Sequence, residues 1–441
     1  MLLFNILSKF KFQFYTIQIF CSLYSVIAYA GDASEYREAA EQGNALAQYN
    51  LGTCYIAGNG VVKDEAEGAK WLRKAADQGD AVAQCDLGFA YAKGYGVTKN
   101  AIESANWYHK SAEQGNALAQ CFLGGYYDKG LGVKKDDAAA VTWFRKAAEQ
   151  GNADGQCGLG VRYRNGEGVL NDDAEAARWF RKAAEQGHMA AQLLLGLCYQ
   201  TGEGVVKDDA EAARWFRKAA GQGEAKAQFR LGGCYRRGNG VAKDEAEAAR
   251  WYRKAAEQGY AEAQLSLGFC YRNGEGVLKD DAEAARWFRK AAEQGHEKAQ
   301  LLVGFYYQTG EGLVKDDAEA ARWFRKAAEQ GNSMAKSNLG ICYLTGEGVL
   351  KDETEAVKWF HEAAEQRNAK AQFSLGNCYR LGIGVLVDYV EAYKWLLLAK
   401  AGGCVTELDE IESKLTDYER AKGQRMAVKW QASKKEAKEG H

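Results

Sequence analysis

Histidine is the side chain best suited to acid–base or metal chemistry near neutral pH, and this chain has five. They are scattered along the sequence, as His109, His188, His296, His361 and His441. His188 and His296 occupy the same position of a repeat described below, three units apart. At about 10 Å per stacked unit they would lie about 30 Å apart, too far to share a metal ion. The sequence therefore predicts no metal site, and nothing in it points to a cofactor.

Ser333 and Lys336 have the Ser-x-x-Lys spacing of serine acyl-transfer enzymes. Neither a Ser-Asp-Asn nor a Lys-Thr-Gly motif accompanies them. Paired carboxylates such as Asp172–Asp173 stand where a helix is expected to begin, and helix capping explains them. We interpret the chain as a protein without catalytic activity, and a hydrolase of the β-lactamase type is the alternative.

The elements that carry these side chains follow a period of 36 residues, without insertion or deletion. A period of this length indicates a solenoid, in which each unit buries its apolar face against its neighbours. The predicted fold class is therefore all-α, an array of stacked helix pairs. The residues that recur most strictly are, in the first unit, Gly52, Tyr55, Gly58, Gly60, Trp71 and Gly79.

The first helix of the first unit is expected to run from 45 to 57, after Asn44 as its N-terminal cap. Gly52 lies in its middle, where glycine costs about 1 kcal/mol relative to alanine. Since a glycine recurs at this position in every unit, we expect another helix to cross there too closely for a Cβ atom. The chain has no proline, so its helices must end at glycines such as Gly58 and Gly79.

The second helix is expected to begin after Asp64, with Glu67 completing a capping box. Its apolar stripe is clearest in a later unit, as Ala212, Trp215, Phe216 and Ala219. A tryptophan recurs in every unit, and we interpret it as part of the core between helices. Arg367 alone replaces the glycine that follows the second helix, and a left-handed backbone there would cost arginine up to about 1 kcal/mol.

Together these residues resemble the Sel1-like repeat, which is related to the tetratricopeptide repeats. The pattern Ala-x-Ala-Gln-x-x-Leu-Gly-x-x-Tyr-x-x-Gly-x-Gly-Val, followed by Asp-x-x-Glu-Ala-x-x-Trp-Phe-x-Lys-Ala-Ala, carries the resemblance over about residues 33–403. It implies antiparallel helix pairs stacked into a right-handed superhelix whose first helices line the concave face. It also implies an adaptor that binds proteins, and bacterial members are often exported. One branch of the family has paired cysteines within each repeat, a pairing that this sequence lacks.

On that concave face we expect a polar, net-basic strip beside apolar anchors. The candidate partner-binding residues are Arg164, Gln200, Arg236, Arg237, Arg272, Gln308, Arg380, Phe229, Phe269 and Phe305. Arginines beside exposed aromatic rings would suit an extended acidic segment or a peptide C-terminus. The alternative is a solvated face with no dedicated ligand. The net charge of -1 gives no support to nucleic-acid binding.

The ends of the chain differ from the array. Residues 1–30 have basic, apolar and small-residue segments in the order of a secretory signal, with cleavage after Ala30; an uncleaved membrane anchor is the alternative. Residues 31–403 would hold a half-repeat and about ten repeats. Residues 404–441 would form capping helices, one opened by Thr406 and one by Thr416 with Glu419, and a frayed tail.

Ten cysteines would remain after cleavage, most of them at two positions of the repeat. Equivalent cysteines in stacked units lie about 10 Å apart, beyond the reach of about 7 Å between Cα atoms that a disulfide needs. We expect small buried apolar side chains, with a disulfide framework as the alternative. The sequence thus predicts a monomeric scaffold for protein or peptide partners, periplasmic or secreted, or else cytoplasmic and anchored at the inner membrane.

Overall fold

The structure, a computed structural model, describes residues 32–404 and 408–439, and all regular structure in these ranges is helical. Helix α1 (Ala33–Glu41) precedes ten helix pairs. The first helices of the pairs are α2 (Ala45–Ala57), α4 (Ala81–Lys93), α6 (Ala117–Lys129), α8 (Ala153–Asn165), α10 (Met189–Thr201), α12 (Ala225–Arg237), α14 (Ala261–Asn273), α16 (Glu297–Thr309), α18 (Ser333–Thr345) and α20 (Ala369–Leu381).

The second helices alternate with the first along the chain. They are α3 (Glu65–Asp77), α5 (Ala101–Glu113), α7 (Asp137–Glu149), α9 (Asp173–Glu185), α11 (Asp209–Gly221), α13 (Glu245–Glu257), α15 (Asp281–Glu293), α17 (Asp317–Glu329), α19 (Glu353–Glu365) and α21 (Tyr389–Ala401). Two more helices follow the last pair, α22 (Asp409–Glu412) and α23 (Asp417–Glu439). The all-α solenoid predicted from the sequence is confirmed.

The first helix begins and ends as its sequence indicates. The Asn44 side chain accepts a hydrogen bond from the Ala47 N–H at 2.9 Å, and Gly58 closes the helix with a left-handed φ of 81°. The Asp64 N–H then donates to the Tyr55 carbonyl at 2.9 Å, which folds the second helix back against the first. Each pair is therefore an antiparallel hairpin.

The capping box predicted for the second helix is only half formed. The Asp64 carboxylate accepts from the N–H groups of Ala66 and Glu67, as expected. The Glu67 side chain does not return to the Asp64 N–H but pairs with Lys70 at 2.8 Å. The reason is that the Asp64 N–H already donates to the Tyr55 carbonyl of the first helix and is not available to the Glu67 carboxylate.

The glycine in the middle of each first helix lies against the second helix, as predicted. A Cβ atom on Gly196 would come within 2.6 Å of the Phe216 ring and 3.3 Å of the Ala212 carbonyl oxygen. The second glycine of the turn allows close contact between successive repeats. A Cβ atom on Gly204 would lie 1.8 Å from the Asp173 carbonyl oxygen, at the start of the previous second helix. Both glycines are required by close packing.

Aromatic side chains of the second helices fill the core, but not equally. Phe216 is fully buried, whereas the Trp215 ring keeps 5% of its surface exposed. The Lys218 ammonium lies over that ring, 4.0 Å from its centroid, and seven other pairs repeat this contact. The tryptophan therefore belongs to the core, as predicted, and forms its outer edge under a lysine.

Buried glutamines link successive helices. The Gln264 side chain donates to the Ala256 carbonyl at 3.1 Å and accepts from the Gln294 side chain at 2.7 Å. Lys336 replaces this glutamine in the ninth repeat, where it pairs with Glu362 at 2.7 Å. In the same repeat Arg367 has a φ of 65° and is the one described residue other than glycine with a positive φ. Arg367 therefore has the left-handed backbone in which arginine is less favourable than glycine.

Helices α22 and α23 cover the end of the last pair. Leu408, Ile411 and Leu415 are buried against α21, and the Trp430 ring lies 5.9 Å from that of Trp395. The capping box at Thr416 is complete, since its N–H donates to the Glu419 carboxylate at 2.9 Å and its hydroxyl accepts from the Glu419 N–H at 3.3 Å. Thr406 lies outside the described residues, as does the predicted leader.

The chain divides into two compact units, one up to Lys218 and one from Ala219, so the boundary falls within α11. Each unit is built of the same hairpins. Among the described helices, none combines the length and the apolar character needed to cross a membrane.

None of the ten cysteines of the described residues forms a disulfide, and nine of them are buried. Burial raises the pKa of several of them, to about 11 for Cys198, Cys270, Cys342 and Cys378. These side chains are therefore protonated at neutral pH and act as small apolar groups, as the repeat spacing predicted.

Candidate functional site

The side chains that could support catalysis are used in the structure of the repeats. His188 caps α10, because its Nδ1 accepts from the Ala191 N–H at 3.1 Å, while its Nε2 lies 3.1 Å from an Asp154 carboxylate oxygen. Ser333 is the first residue of α18, and Lys336 pairs with Glu362. No cluster of potential metal ligands occurs among the described residues.

Two arginines of the predicted strip are engaged in ion pairs within the chain. Arg164 pairs with Glu203 of the next turn at 3.1 Å, and its side chain is only 9% exposed. Arg380 pairs with Glu410 of α22 at 2.6 Å. A partner would have to displace these carboxylates to reach either guanidinium, so the strip is not uniformly available.

Arg236 and Arg237 differ from the other arginines of the strip. Both lie at the end of α12 and are exposed, and neither forms an ion pair with a carboxylate of the described residues. Helix α12 carries four basic residues and no acidic one. Phe229 lies seven residues before Arg236, hence on the same side of the helix, and is half-buried. Its ring contacts Tyr252 and Tyr260, with centroids 5.7 and 5.4 Å away.

The remaining predicted residues lie on α10, α14 and α16. Arg272 is half-buried and stacks on Phe269, with its guanidinium carbon 4.7 Å from the ring centroid. Phe269 and Phe305 each meet a buried phenylalanine of the second helix edge to face, at 5.2 and 5.3 Å. Gln200 and Gln308 are half-buried. The rings of Phe269 and Phe305 thus pack against the core on one side and are partly exposed on the other.

Sequence reasoning missed Arg162, a buried arginine near the strip. It occupies the position before the recurring tyrosine, where six repeats have cysteine. An arginine at a position usually filled by a small apolar residue is the sequence signal that could have identified it. The Arg162 guanidinium pairs with Asp128 of the preceding repeat at 2.8 Å and with Glu167 at 2.6 Å. Since its side chain is 10% exposed, Arg162 fixes the third and fourth first helices together rather than facing a ligand.

A second polar contact between first helices joins Tyr49 and Asp86. The Tyr49 hydroxyl donates to the Asp86 carboxylate at 3.1 Å. Burial raises the pKa of Asp86 to about 6, although the hydrogen bond from Tyr49 opposes the shift. Burial also raises the pKa of Tyr49, so its hydroxyl remains a donor at physiological pH.

The end of α12 offers a basic surface beside aromatic rings. The guanidinium groups of Arg236 and Arg237, which form no ion pair with the described carboxylates, can bind carboxylates in a bidentate manner, and the adjacent aromatic rings can bind apolar side chains. The basic cluster of Arg236, Arg237 and Phe229 is the part of the predicted strip that is best placed for this.

Comparison with known proteins places these features in context. The sequence model of the Sel1 repeat matches ten consecutive segments, 45–80, 81–116, 117–152, 153–188, 190–224, 225–260, 261–296, 297–332, 333–368 and 369–404. No curated protein matches the chain.

Two solved structures are similar over most of their length. One is c5321, a protective antigen present in uropathogenic Escherichia coli strains that displays an SLR fold; it is 34% identical, with 90% of this chain and 94% of that chain covered and a TM-score of 0.64. The other is a Sel1 repeat protein from Oxalobacter formigenes, 34% identical, with 69% of this chain and 89% of that chain covered and a TM-score of 0.56.

Proposed function

The chain belongs to the Sel1 repeat family, whose members are generally protein-interaction scaffolds, and from this membership we propose that it binds an acidic polypeptide segment on its first helices. The observation that carries the proposal is the basic cluster on α12. Arg236 and Arg237 are exposed and form no ion pair with a carboxylate in the part of the chain that the structure describes, next to the partly exposed ring of Phe229. Arg250 on α13, by contrast, is paired with Glu247 of its own helix.

The mode of binding follows from the chemistry of the cluster. The two guanidinium groups hold carboxylates of the partner, Phe229 contacts an apolar side chain, and Arg272 with Phe269 extends the surface along the next first helix. We propose that the protein performs no chemistry of its own and acts as a monomer. Sedimentation of the purified chain tests the second statement.

Binding is tested with a labelled peptide in which glutamate alternates with leucine, followed by fluorescence anisotropy. Replacement of Arg236 and Arg237 by alanine is expected to weaken binding by about tenfold or more, with the melting temperature unchanged, and adding Arg272→Ala should weaken it further. Raising the salt concentration should also weaken binding to the wild-type chain, because charge pairs contribute to it.

The matched control removes exposed arginines of the second helices. Arg250→Ala with Arg286→Ala takes away the same number of positive charges, each from a residue paired with a glutamate of its own helix. Binding of the acidic peptide should be unchanged in this variant. Equal loss of binding in both variants would refute the α12 site in favour of a general effect of net charge.

We further propose that the protein is exported to the periplasm or secreted. The proposal is supported by the basic, apolar and small-residue segments of residues 1–30 and by the likeness to a protective antigen of a pathogenic bacterium. Its alternative, a cytoplasmic scaffold anchored at the inner membrane, is favoured by the free thiols, since exported proteins tend to hold theirs as disulfides.

Mass spectrometry of the native amino terminus separates the two locations. A chain that begins at Gly31 supports export, and a chain that keeps its first 30 residues supports the anchored scaffold.

A further inference from the structure

Seven of the ten repeats hold a nearly fully exposed aliphatic side chain in the segment between their two helices. The exposed fractions run from 88% to 92%, for Val62, Leu170, Val206, Leu278, Val314, Leu350 and Leu386. The last four belong to consecutive repeats of the second unit, and we call them the aliphatic edge. Isolated exposed aliphatic residues are common, but a regular row of them marks an interaction surface.

The fold does not require an aliphatic residue at this position. The sixth repeat has Ala242 there, yet its turn has the same geometry as that of the seventh repeat. The first glycine of the turn has a φ of 73° in the sixth repeat (Gly238) and 74° in the seventh (Gly274). The aspartate that caps the second helix has a φ of -148° and a ψ of 104° in the sixth repeat (Asp244), and a φ of -152° and a ψ of 101° in the seventh (Asp280). The leucines and valines of the edge therefore contribute nothing visible to the turn.

The residues that follow the first three members of the edge are engaged within their own turns. Val277 lies partly buried against the core, so that Leu278, the next residue, projects away from it. The Lys279 ammonium is paired with Asp281 at 3.4 Å, and Lys315 and Lys351 make the equivalent pairs. The lysines beside the edge thus have their charges largely compensated.

Uncompensated carboxylates give the aliphatic edge a negative charge. The aspartates that cap the second helices are exposed and form no ion pair with the described residues: Asp280, Asp316, Asp352 and Asp388. The same is true of two glutamates of the turns, Glu311 and Glu347. An anionic lipid surface would be repelled by this charge. A basic partner would be attracted and could bury the aliphatic side chains at the same time.

We propose that the aliphatic edge binds a basic, extended polypeptide segment of another protein, separately from the acidic partner of α12. Successive edge residues lie about 10 Å apart if stacked units keep the usual spacing of packed helices. In an extended polyproline II conformation three residues make one turn and span about 9 Å, nearly the same length, and every third side chain faces the same side. The segment that fits therefore has an apolar residue at every third position, with lysine or arginine between.

The proposal is tested with a labelled peptide of four Leu-Lys-Ser units and the full-length protein. Wild type is expected to bind it saturably. A variant with Leu278→Thr, Val314→Thr, Leu350→Thr and Leu386→Thr, which copies the residue found at Thr98, is expected to bind about tenfold more weakly or worse. A peptide with glutamate in place of lysine, and one with serine in place of leucine, should each bind about as poorly as that variant binds the original.

The control variant replaces exposed apolar residues elsewhere, with Met334→Thr and Leu381→Thr, which are 51% and 55% exposed on first helices. It should bind the basic peptide like wild type, and the edge variant should still bind the acidic peptide of the α12 test. The proposal fails if the edge variant keeps its affinity or if the serine peptide binds equally well. It also fails if the edge instead drives self-association in sedimentation, or binding to phosphatidylglycerol vesicles.

Discussion

At the scale of single residues, one contact explains why the first helix tolerates a glycine in its middle. Gly196 in unit one and Gly268 in unit two each face a phenylalanine ring at a distance that leaves no room for a methyl group. A helical glycine is costly by itself, but here it permits the close approach that buries the ring. The contact is the same in nearly every repeat, so it can be tested at one.

Gly196→Ala is expected to destabilise the protein by about 1 kcal/mol, because a clash costing about 1–3 kcal/mol outweighs the gain in helix propensity of about 1 kcal/mol. Gly125→Ala is the matched control, since Gly125 is also in a first helix and a Cβ atom there would meet nothing within 4 Å. It should stabilise by about 0.5–1 kcal/mol. The midpoints of urea unfolding measure both, and a gain from Gly196→Ala would contradict the packing argument.

Asp86 gives the stability of the protein a dependence on pH. Its pKa is about 6 in the folded state against 3.8 ordinarily, so the fold favours the protonated form and loses stability as pH rises between these values. Asp86→Asn should therefore stabilise the protein at pH 7, by at most about 3 kcal/mol, and change nothing below pH 4.

Urea unfolding at several pH values checks this prediction. Tyr49→Phe is its companion, because removing the hydroxyl that donates to Asp86 should raise the pKa of Asp86 further. A constant difference between wild type and Asp86→Asn at all pH values would show that Asp86 does not titrate as stated.

At the scale of elements, α23 closes the apolar end of the second unit. The Trp430 indole N–H donates to Glu365 of α19 at 3.0 Å, and its ring meets Trp395 of α21. Lys434 adds an ion pair to the same glutamate at 2.9 Å. These contacts lower the pKa of Glu365 against the effect of its burial. The last hairpin thereby gains the neighbour that a terminal repeat otherwise lacks.

Trp430→Ala is expected to destabilise α21 by about 2–3 kcal/mol, since it removes a half-buried ring and leaves Glu365 with one partner fewer. Amide hydrogen exchange is the suitable measurement, because the loss should be greatest in α21 and small in the first unit. Val428→Ala, on the same helix but 66% exposed, should change exchange little. Equal loss of protection throughout the chain would contradict a local role for α23.

At the scale of the whole molecule, stability comes from the repetition of hairpins, with no cross-link among the described residues. Within each compact unit, neighbouring hairpins contact one another through the glutamine links, the turn glycines and pairs such as Arg253 with Tyr271 at 2.7 Å. Stability in such arrays is approximately a sum over units and interfaces. Surface positions can then vary from repeat to repeat while the core stays constant.

Treatment with dithiothreitol should leave the melting temperature unchanged, because the described thiols are free and mostly buried. Differential scanning calorimetry with and without the reductant checks this. A fall of several degrees would show that disulfides stabilise the protein and would contradict the reading of the cysteines as core residues.

The sequence by itself determined the bounds of the first helix, the closing glycines and the close approach of a second helix at the mid-helix glycine. These features depend on residues within one repeat, and the strict period shows ten times what each position must do. Only the tertiary structure decided which arginines are available to a partner. Arg164 pairs with Glu203 of the following repeat, and Arg380 pairs with Glu410 beyond the array, whereas Arg236 forms no ion pair with any carboxylate in residues 32–404 and 408–439. The physical reason is that an ion pair depends on which side chain of the neighbouring repeat lies within reach. The residue type at these surface positions differs from repeat to repeat, so the repeat pattern does not predict it.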